Sequence, residues 1–271
     1  MRNHRQALFL SHGGGPLPLP LLGDDAHEEM VGCLKSITAM TGRPSAIIVV
    51  SAHWEENRPA ITSGNNPPLI YDYRGFPEEA YKITYPCPGQ PLLAHKIATI
   101  LAEAGIDARL DETRGFDHGL FVPLKIMYPD ADIPCVQISL VNSLDAAEHV
   151  RIGRALQGLD DHSLLVIGSG FSFHNMKAFF TPEDAAAKTK NESFEAWLLN
   201  TCCSTELGEQ ERMQRLVNWA AAPFARYCHP REEHLLPLHV CYGFSGSAAT
   251  KSFELRILDR KSSMYLWQIE S

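Results

Sequence analysis

Two strongly apolar segments of this chain each run directly into a histidine. Residues 7–11 are followed by His12 and three glycines, and residues 46–52 are followed by His53. A continuous apolar run of strand length, bounded by turn residues, predicts a strand buried on both faces of a parallel sheet. Ligands of such sheets bind at the carboxyl ends of the strands. We therefore expect His12 and His53 to meet in one pocket, and a metal site is the first hypothesis.

The remainder of the chain alternates between strand and helix patterns. Strand patterns cover residues 7–11, 46–52, 107–110, 133–140, 163–169, 248–257 and 263–269, with short extended pieces near 69–71 and 81–85. Helix patterns cover residues 25–41, 90–104, 120–127, 144–157, 183–203, 206–219 and 231–242. This alternation predicts an α/β fold, organised as a single domain over residues 1–271. We expect a central, mostly parallel or mixed β-sheet flanked by helices on both faces, because the last two strands resemble an antiparallel pair.

Composition narrows the classes of protein to which the chain can belong. Hydrophobic residues make up 45% and charged residues 21%, as in ordinary globular proteins. The net charge of −8, with no cluster of lysine or arginine, predicts no nucleic-acid partner. No apolar run approaches the roughly 20 residues that span a membrane, and the apolar run after Gln6 is too short for a signal peptide. We therefore expect a cytoplasmic protein. The seven cysteines contain no CxxC pair and are assigned no role.

The chain has 12 histidines, and their placing separates them into groups. Those in polar or helical-surface contexts are predicted to be solvated: His4, His27, His95, His149 and His162. A structural role is predicted for His229 and His239. The remaining five lie at element ends or are flanked by glycine or apolar residues: His12, His53, His118, His174 and His234. Imidazole is a common ligand of zinc, iron, copper and nickel. Because these donors are dispersed, unlike the clustered ligands of structural zinc, they favour a catalytic site with open coordination positions.

The segment His12-Gly13-Gly14-Gly15 permits another interpretation, since HGGG forms the oxyanion hole of many esterases. Those enzymes also need a nucleophile in a G-x-S-x-G turn. Gly168-Ser169-Gly170 and residues 243–246 approach that pattern, but neither completes it. A serine hydrolase is therefore disfavoured.

Five motifs occur along the chain in the order found in one known family: Ser11-His12-Gly13-Gly14, Ser51-Ala52-His53-Trp54, Gly115-Phe116-Asp117-His118-Gly119, Phe173-His174-Asn175 and Glu233-His234-Leu235-Leu236-Pro237-Leu238. Together they resemble the class III extradiol ring-cleavage dioxygenases, and most closely the DOPA-4,5-dioxygenase branch. Further similarity runs through residues 71–77, 85–89 and 127–134, so the resemblance covers nearly the whole chain.

The resemblance implies an Fe(II) ion held by His12, His53 and one residue of the Glu233-His234 pair. Adjacent residues on a helix point about 100° apart, so only one of the pair is expected to reach the metal. We expect that residue to be His234. Three neutral imidazoles would also accept Zn(II) in the same site.

The resemblance also implies roles for two further histidines. His174 matches the family's catalytic base and would take a proton from the substrate. His118 would position or protonate the oxygen-derived intermediate, and Asp117 is a candidate to orient a neighbouring imidazole. The expected substrates are O₂ and an L-DOPA-like or caffeate-like catechol, which would open to a muconic semialdehyde. Three loop cations are candidates for binding its carboxylate: Arg74, Lys82 and Arg114.

Two other functions remain open at this point. A zinc-dependent hydrolase would use the same histidines to activate water. A non-catalytic, metal-binding interaction protein would keep the fold without the reaction. His174 favours catalysis, because a binding protein does not need a base that faces the metal.

Overall fold

An eight-stranded mixed β-sheet forms the centre of the computed structural model, which describes residues 5–19, 22, 25–160 and 163–269. The strands are β1 (Arg5–Ser11), β2 (Ala46–Glu56), β3 (Ala60–Thr62), β4 (Arg109–Asp111), β5 (Cys135–Val141), β6 (Leu164–Gly170), β7 (Lys251–Ile257) and β8 (Arg260–Ile269). Their order across the sheet is β4-β3-β5-β2-β6-β1-β8-β7. The central strands β5, β2, β6 and β1 are parallel, whereas β8 pairs antiparallel with both β1 and β7. The predicted fold class is confirmed.

Apolar side chains on both faces of the central strands account for helices on both sides of the sheet. Along β1, Ala7 and Phe9 belong to one core cluster, whereas Leu8 and Leu10 belong to another. The helices are α1 (Glu28–Thr41), α2 (Pro91–Glu103), α3 (His118–Met127), α4 (Ala146–Leu156), α5 (Met176–Phe179), α6 (Ala185–Cys203), α7 (Glu209–Val217), α8 (Ala225–Cys228) and α9 (Leu236–Ser245). Helices α1 and α3 pack on the Leu8 face, and α2, α4, α6 and α9 pack on the Phe9 face.

Two glycines bring the segment before α9 against the end of β6. A Cβ atom added to Gly170 would lie 2.1 Å from the carbonyl oxygen of His234, and one added to Gly168 would lie 2.4 Å from that of Pro237. The backbone N–H of Phe171 donates to the His234 carbonyl at 2.9 Å. Only glycine permits so close an approach. This close contact fixes His234 beside the carboxyl ends of the strands.

Several predicted elements differ from the structure. The helix predicted over 231–242 begins only at Leu236, so Glu233 and His234 lie in the turn before it, and the argument from helical spacing does not apply to them. The extended piece predicted near 81–85 overlaps a 3-10 turn at Glu78–Lys82. The short strand β3 was not predicted. The single-domain organisation over residues 1–271 stays a prediction.

Strand β2 continues past the predicted end and contains His53. Its pairing with β5 shifts register between Ser51 and Glu55. An irregularity of this kind re-aims side chains at a sheet edge, and here it lies at His53. Within the described part of the chain, no helix is long and apolar enough to cross a membrane.

Candidate metal centre and active site

The five histidines singled out in the sequence line one cavity of about 300 Å³ at the carboxyl ends of β1, β2 and β6. Two groups of side chains here have ligand atoms within 4.8 Å of one another. One group is His12, His53 and His118, and the other is His174, Glu233 and His234. The groups adjoin, because the ring centroid of His234 lies 5.3 Å from that of His12 and 5.0 Å from that of His53. The structure thus brings together all five of these histidines.

His12 is oriented by a serine at the end of β6. Its Nδ1 lies 3.0 Å from Ser169 Oγ, and the Ser169 hydroxyl donates to the carbonyl oxygen of Gly119. Since that hydroxyl has used its proton, it accepts one from His12 Nδ1. The lone pair of His12 Nε2 consequently points into the cavity, which is the tautomer that a metal ligand needs.

His53 presents its own Nε2 to the same point, 3.0 Å from His12 Nε2. On its far side, His53 Nδ1 is 3.9 Å from Asp72 Oδ2. Two imidazole nitrogens that converge at this distance need a shared proton or a cation between them. The donor set therefore fits a transition-metal ion.

His118 begins helix α3 and is held by Asp72. The carboxylate oxygen Oδ1 of Asp72 accepts from the His118 backbone N–H at 3.0 Å and from its Nδ1 at 2.8 Å. The His118 ring centroid is 3.9 Å from that of His53. Asp72 was not singled out individually in the sequence, although it lies in the similar segment 71–77. Its position in that loop segment was the sequence signal that could have identified Asp72 as a site residue.

Asp117, the candidate for orienting an imidazole, has other partners. It is fully buried and accepts from the Ser51 hydroxyl at 2.8 Å, from Arg114 at 3.3 Å and from the Gln137 side-chain amide. Burial and the nearby Asp72 raise its pKa. Its contacts join β2, β5 and α3, so Asp117 supports the elements that carry the histidines, whereas Asp72 contacts an imidazole directly.

Glu233 bridges the two remaining histidines. Its Oε1 lies 2.9 Å from His234 Nδ1 and 3.3 Å from His174 Nδ1. The two rings stack with centroids 3.4 Å apart and an angle of 15° between their planes. Because the carboxylate engages both Nδ1 edges, the Nε2 atoms of His174 and His234 are left for the cavity.

Burial sets the charge state of the cluster. It is the largest cause that lowers the pKa of His12 and His53 well below the ordinary value, with neighbouring histidines adding to it. Burial, followed by His174, lowers the pKa of His234 to about 3. Burial opposes ionisation of Glu233, but hydrogen bonds from the two histidines hold the pKa of its carboxyl well below the usual range. His12, His53 and His234 are thus neutral imidazoles, close to the ionised carboxylate of Glu233.

Four other buried histidines bind backbone groups instead of facing the cavity. His229 and His239 place Nε2 2.7 Å and 2.8 Å from the carbonyl oxygens of Ser172 and Leu216, which agrees with a structural role. The solvated role predicted for His27 and His149 is wrong, because both side chains are fully buried. His27 supports the glycine loop of the site, because its Nε2 accepts from the backbone N–H of Gly14. The sequence did not indicate this role. His95 is exposed as predicted; His4 and His162 lie outside the described residues.

Comparison with known proteins identifies the family of the chain. Residues 6–263 match the family described as the catalytic LigB subunit of aromatic ring-opening dioxygenase. The chain is 39% identical to dioxygenase tasH of Hapsidospora irregularis, over 87% of this chain and 76% of that protein. It is 37% identical to the 4,5-DOPA dioxygenase extradiol of Escherichia coli K12, over 86% of this chain and 82% of that protein.

A plant relative and a solved structure extend the similarity. The 4,5-DOPA dioxygenase extradiol of Beta vulgaris is 36% identical over 90% of this chain and 88% of its own length. The crystal structure of an uncharacterized protein from Escherichia coli K12 superposes with a TM-score of 0.75 at 30% identity, covering 97% of this chain and 99% of that one. With a family match that spans nearly all its residues, the chain belongs to the LigB family of class III extradiol, aromatic ring-opening dioxygenases.

Proposed function

We propose that the chain is an Fe(II)-dependent extradiol dioxygenase that adds both atoms of O₂ to a catechol and opens its ring to a muconic semialdehyde. The observation that carries the proposal is the convergence of His12 Nε2 and His53 Nε2, 3.0 Å apart, in a cavity that His174 also lines. Ligands and a candidate base thus face one space large enough for a single aromatic ring.

The residues proposed to hold the metal are His12, His53 and His234. Glu233 is the weaker candidate, because its Oε1 is already engaged by two imidazoles. Fe(II) bound here would supply open coordination positions for catechol and O₂ and the redox chemistry that joins them. Three neutral imidazole ligands would leave both positive charges of the ion uncompensated, which favours the binding of an anionic catecholate.

His174 is proposed to act as the base. Its Nδ1 lies beside the Glu233 carboxylate, so Nε2 can accept a proton from a catechol hydroxyl in the cavity. The carboxylate then stabilises the imidazolium that forms, as a buried acid does for the histidine of a catalytic triad. The Glu233 side chain therefore serves the base and the proposed ligand His234 together.

His118 is proposed to position the reacting oxygen atoms. Asp72 accepts from its Nδ1 and from its backbone N–H, which fixes the ring toward His53. A polar ring held in place in advance costs no reorganisation when charge develops on oxygen. The apolar walls of the cavity exclude water from the same space.

The test is anaerobic reconstitution with Fe(II), followed by a catechol panel and air. We expect O₂ consumption in proportion to a new yellow absorbance from the semialdehyde. L-DOPA and caffeate belong in the panel, because relatives are named 4,5-DOPA dioxygenase extradiol. Metal-loaded protein that gives neither O₂ uptake nor colour with any catechol contradicts the proposal.

Loading with Zn(II) separates the dioxygenase from a zinc-dependent hydrolase. Zinc has no accessible redox change, so the zinc-loaded protein should bind catechol without consuming O₂. Ester or amide hydrolysis that appears with Zn(II) and fails with Fe(II) would favour the hydrolase. The cytoplasmic location stays a proposal from the sequence.

A further inference from the structure

We propose that the cavity selects catechols whose ring substituent is uncharged and apolar, in preference to catechols that carry a carboxylate side chain. This inference rests on the proposed function, because it concerns the substrate of the same site. It departs from the L-DOPA-like or caffeate-like substrate expected from the resemblance.

Beyond the histidines and the glycine loop, the lining is almost wholly apolar. The side chains that form it include Leu17, Phe171, Met176, Phe179, Phe180 and Leu258. The hydroxyl of Tyr73, which also lines the cavity, donates to the carbonyl oxygen of Ala80 and is thereby turned away from a ligand. A substituent on the catechol would therefore meet carbon on nearly every side.

The apolar wall continues to the mouth of the cavity. Phe180 is 82% exposed and Met176 is 54% exposed, although both line the site. Isolated exposed apolar side chains are ordinary, but Phe180 and Met176 border the same cavity, as the apolar residues of a ligand-binding groove do. At this position they extend the apolar surface outward from the metal, along the path that a ring substituent would follow.

The three cations expected to bind a carboxylate do not line this cavity in the described part of the chain. Lys82 pairs with Glu78 at 2.6 Å. Arg114 pairs with Asp117 at 3.3 Å and lies 4.4 Å from the ring centroid of Trp54. Arg74 is exposed and is absent from the lining.

Arginines do line a neighbouring cavity of about 490 Å³ that shares Phe179, Phe180 and Leu258 with the site. They are already engaged there. Arg256 and Arg260 both pair with Glu183 at 3.2 Å, and Arg260 also donates to two backbone carbonyls. A substrate carboxylate that reached this region would have to compete with an internal carboxylate for both guanidinium groups.

An unpaired carboxylate is costly to transfer from water to such surroundings, whereas an alkyl chain gains from burial. A preference for the neutral substituent of at least about tenfold, the equivalent of about 1.4 kcal/mol, follows from these opposed effects.

The experiment compares two catechols of matched size, 4-butylcatechol and 3-(3,4-dihydroxyphenyl)propionate. Dissociation constants are measured by calorimetry on the Zn(II)-loaded protein, and kcat/KM on the Fe(II)-loaded protein. We expect 4-butylcatechol to bind at least about tenfold more tightly and to show the higher kcat/KM. Equal or tighter binding of the propionate, or binding of neither catechol, overturns the inference.

A charge placed at the mouth tests the proposed path of the substituent. Phe180→Lys supplies a partner for the carboxylate, so it should lower the preference for 4-butylcatechol over the propionate by about tenfold, or reverse it. Leu92→Lys is the matched control, because Leu92 is 75% exposed on α2 and does not line the cavity. An unchanged preference in Phe180→Lys contradicts the placement. If the binding preference holds but no catechol consumes O₂, the proposed reaction fails and the ligand preference stands.

Discussion

Buried histidines in this chain fall into two sets that differ in what their ring nitrogens face. In the structural set, His149 accepts from the backbone N–H of Val141 at 3.1 Å, and its other nitrogen lies 2.7 Å from the carbonyl oxygen of Asp145. His229 and His239 likewise bind backbone carbonyls. In the site, by contrast, the Nε2 atoms of His12 and His53 face each other.

The contrast shows that burial alone does not mark a functional histidine. Burial lowers the pKa in both sets, to about 3 for structural His229 and also to about 3 for His234 in the site. The difference lies in what Nε2 faces. In His149, His229 and His239, Nε2 binds a backbone group, although Nδ1 of His229 has no hydrogen-bond partner. In the site, His12 and His234 use Nδ1 on the protein and turn Nε2 to a shared space.

The largest expected effect is loss of the metal, and it tests the role of the site histidines as ligands. His12→Ala should abolish metal retention, with a loss in affinity beyond the ~10- to 100-fold typical of an outer partner. Metal content after gel filtration and the metal dissociation constant measure it. His149→Ala is the control, since it removes an equally buried imidazole without touching the cavity. Full metal occupancy in His12→Ala would contradict the ligand assignment.

A second substitution separates a base from a ligand. His174→Ala should lower kcat by ~10²- to 10⁴-fold, the usual contribution of general acid–base catalysis, while the metal stays bound. The measurement pairs steady-state O₂ uptake with metal analysis of the same sample. Loss of metal from His174→Ala would show that His174 belongs to the ligand set.

A smaller effect is expected at the carboxylate that joins base and ligand. Glu233→Gln keeps the shape but removes the negative charge beside His174 and His234, so kcat should fall by ~10- to 100-fold with KM nearly unchanged. Glu232→Gln is the matched control, because Glu232 pairs with Arg226 at 2.6 Å instead. A rise in KM with no change in kcat would instead assign Glu233 to substrate binding.

The parts of the fold that the sequence predicted are those governed by local periodicity. The apolar runs of β1, β2 and β6 predict buried parallel strands, and alternation near the C-terminus predicts the β7–β8 pair. Strand β3 has only three residues, too few for a periodic signal. The start of α9 at Leu236 is set by tertiary contact between the preceding turn and Gly170, which no local pattern encodes.

In the site, too, local sequence patterns predicted some residues, whereas residues that depend on tertiary contacts were missed. Element ends and flanking glycine or apolar residues identified His12, His53, His118, His174 and His234. The burial of His27 and His149 was not predicted, because their partners, the Gly14 backbone N–H and that of Val141, are backbone groups with no side-chain signature. The bridging positions of Asp72 and Glu233 depend on distances between loops far apart in the chain.

The smallest effect tests the structural set through pH. Burial lowers the pKa of His239 to about 4, from 6.5 for an ordinary imidazole. Below pH ~6.5 the unfolded chain takes up a proton there that the folded chain does not, so the free energy of unfolding falls as the pH falls toward 4. His239→Gln should remove about 1–2 kcal/mol of the loss seen between pH 7.5 and 5. Urea unfolding of both proteins across that range measures it, and the contributions of the site histidines cancel in the difference. Parallel pH curves would mean that His239 takes up its proton alike in the folded and unfolded chain, and burial behind backbone partners would then not keep the structural set neutral.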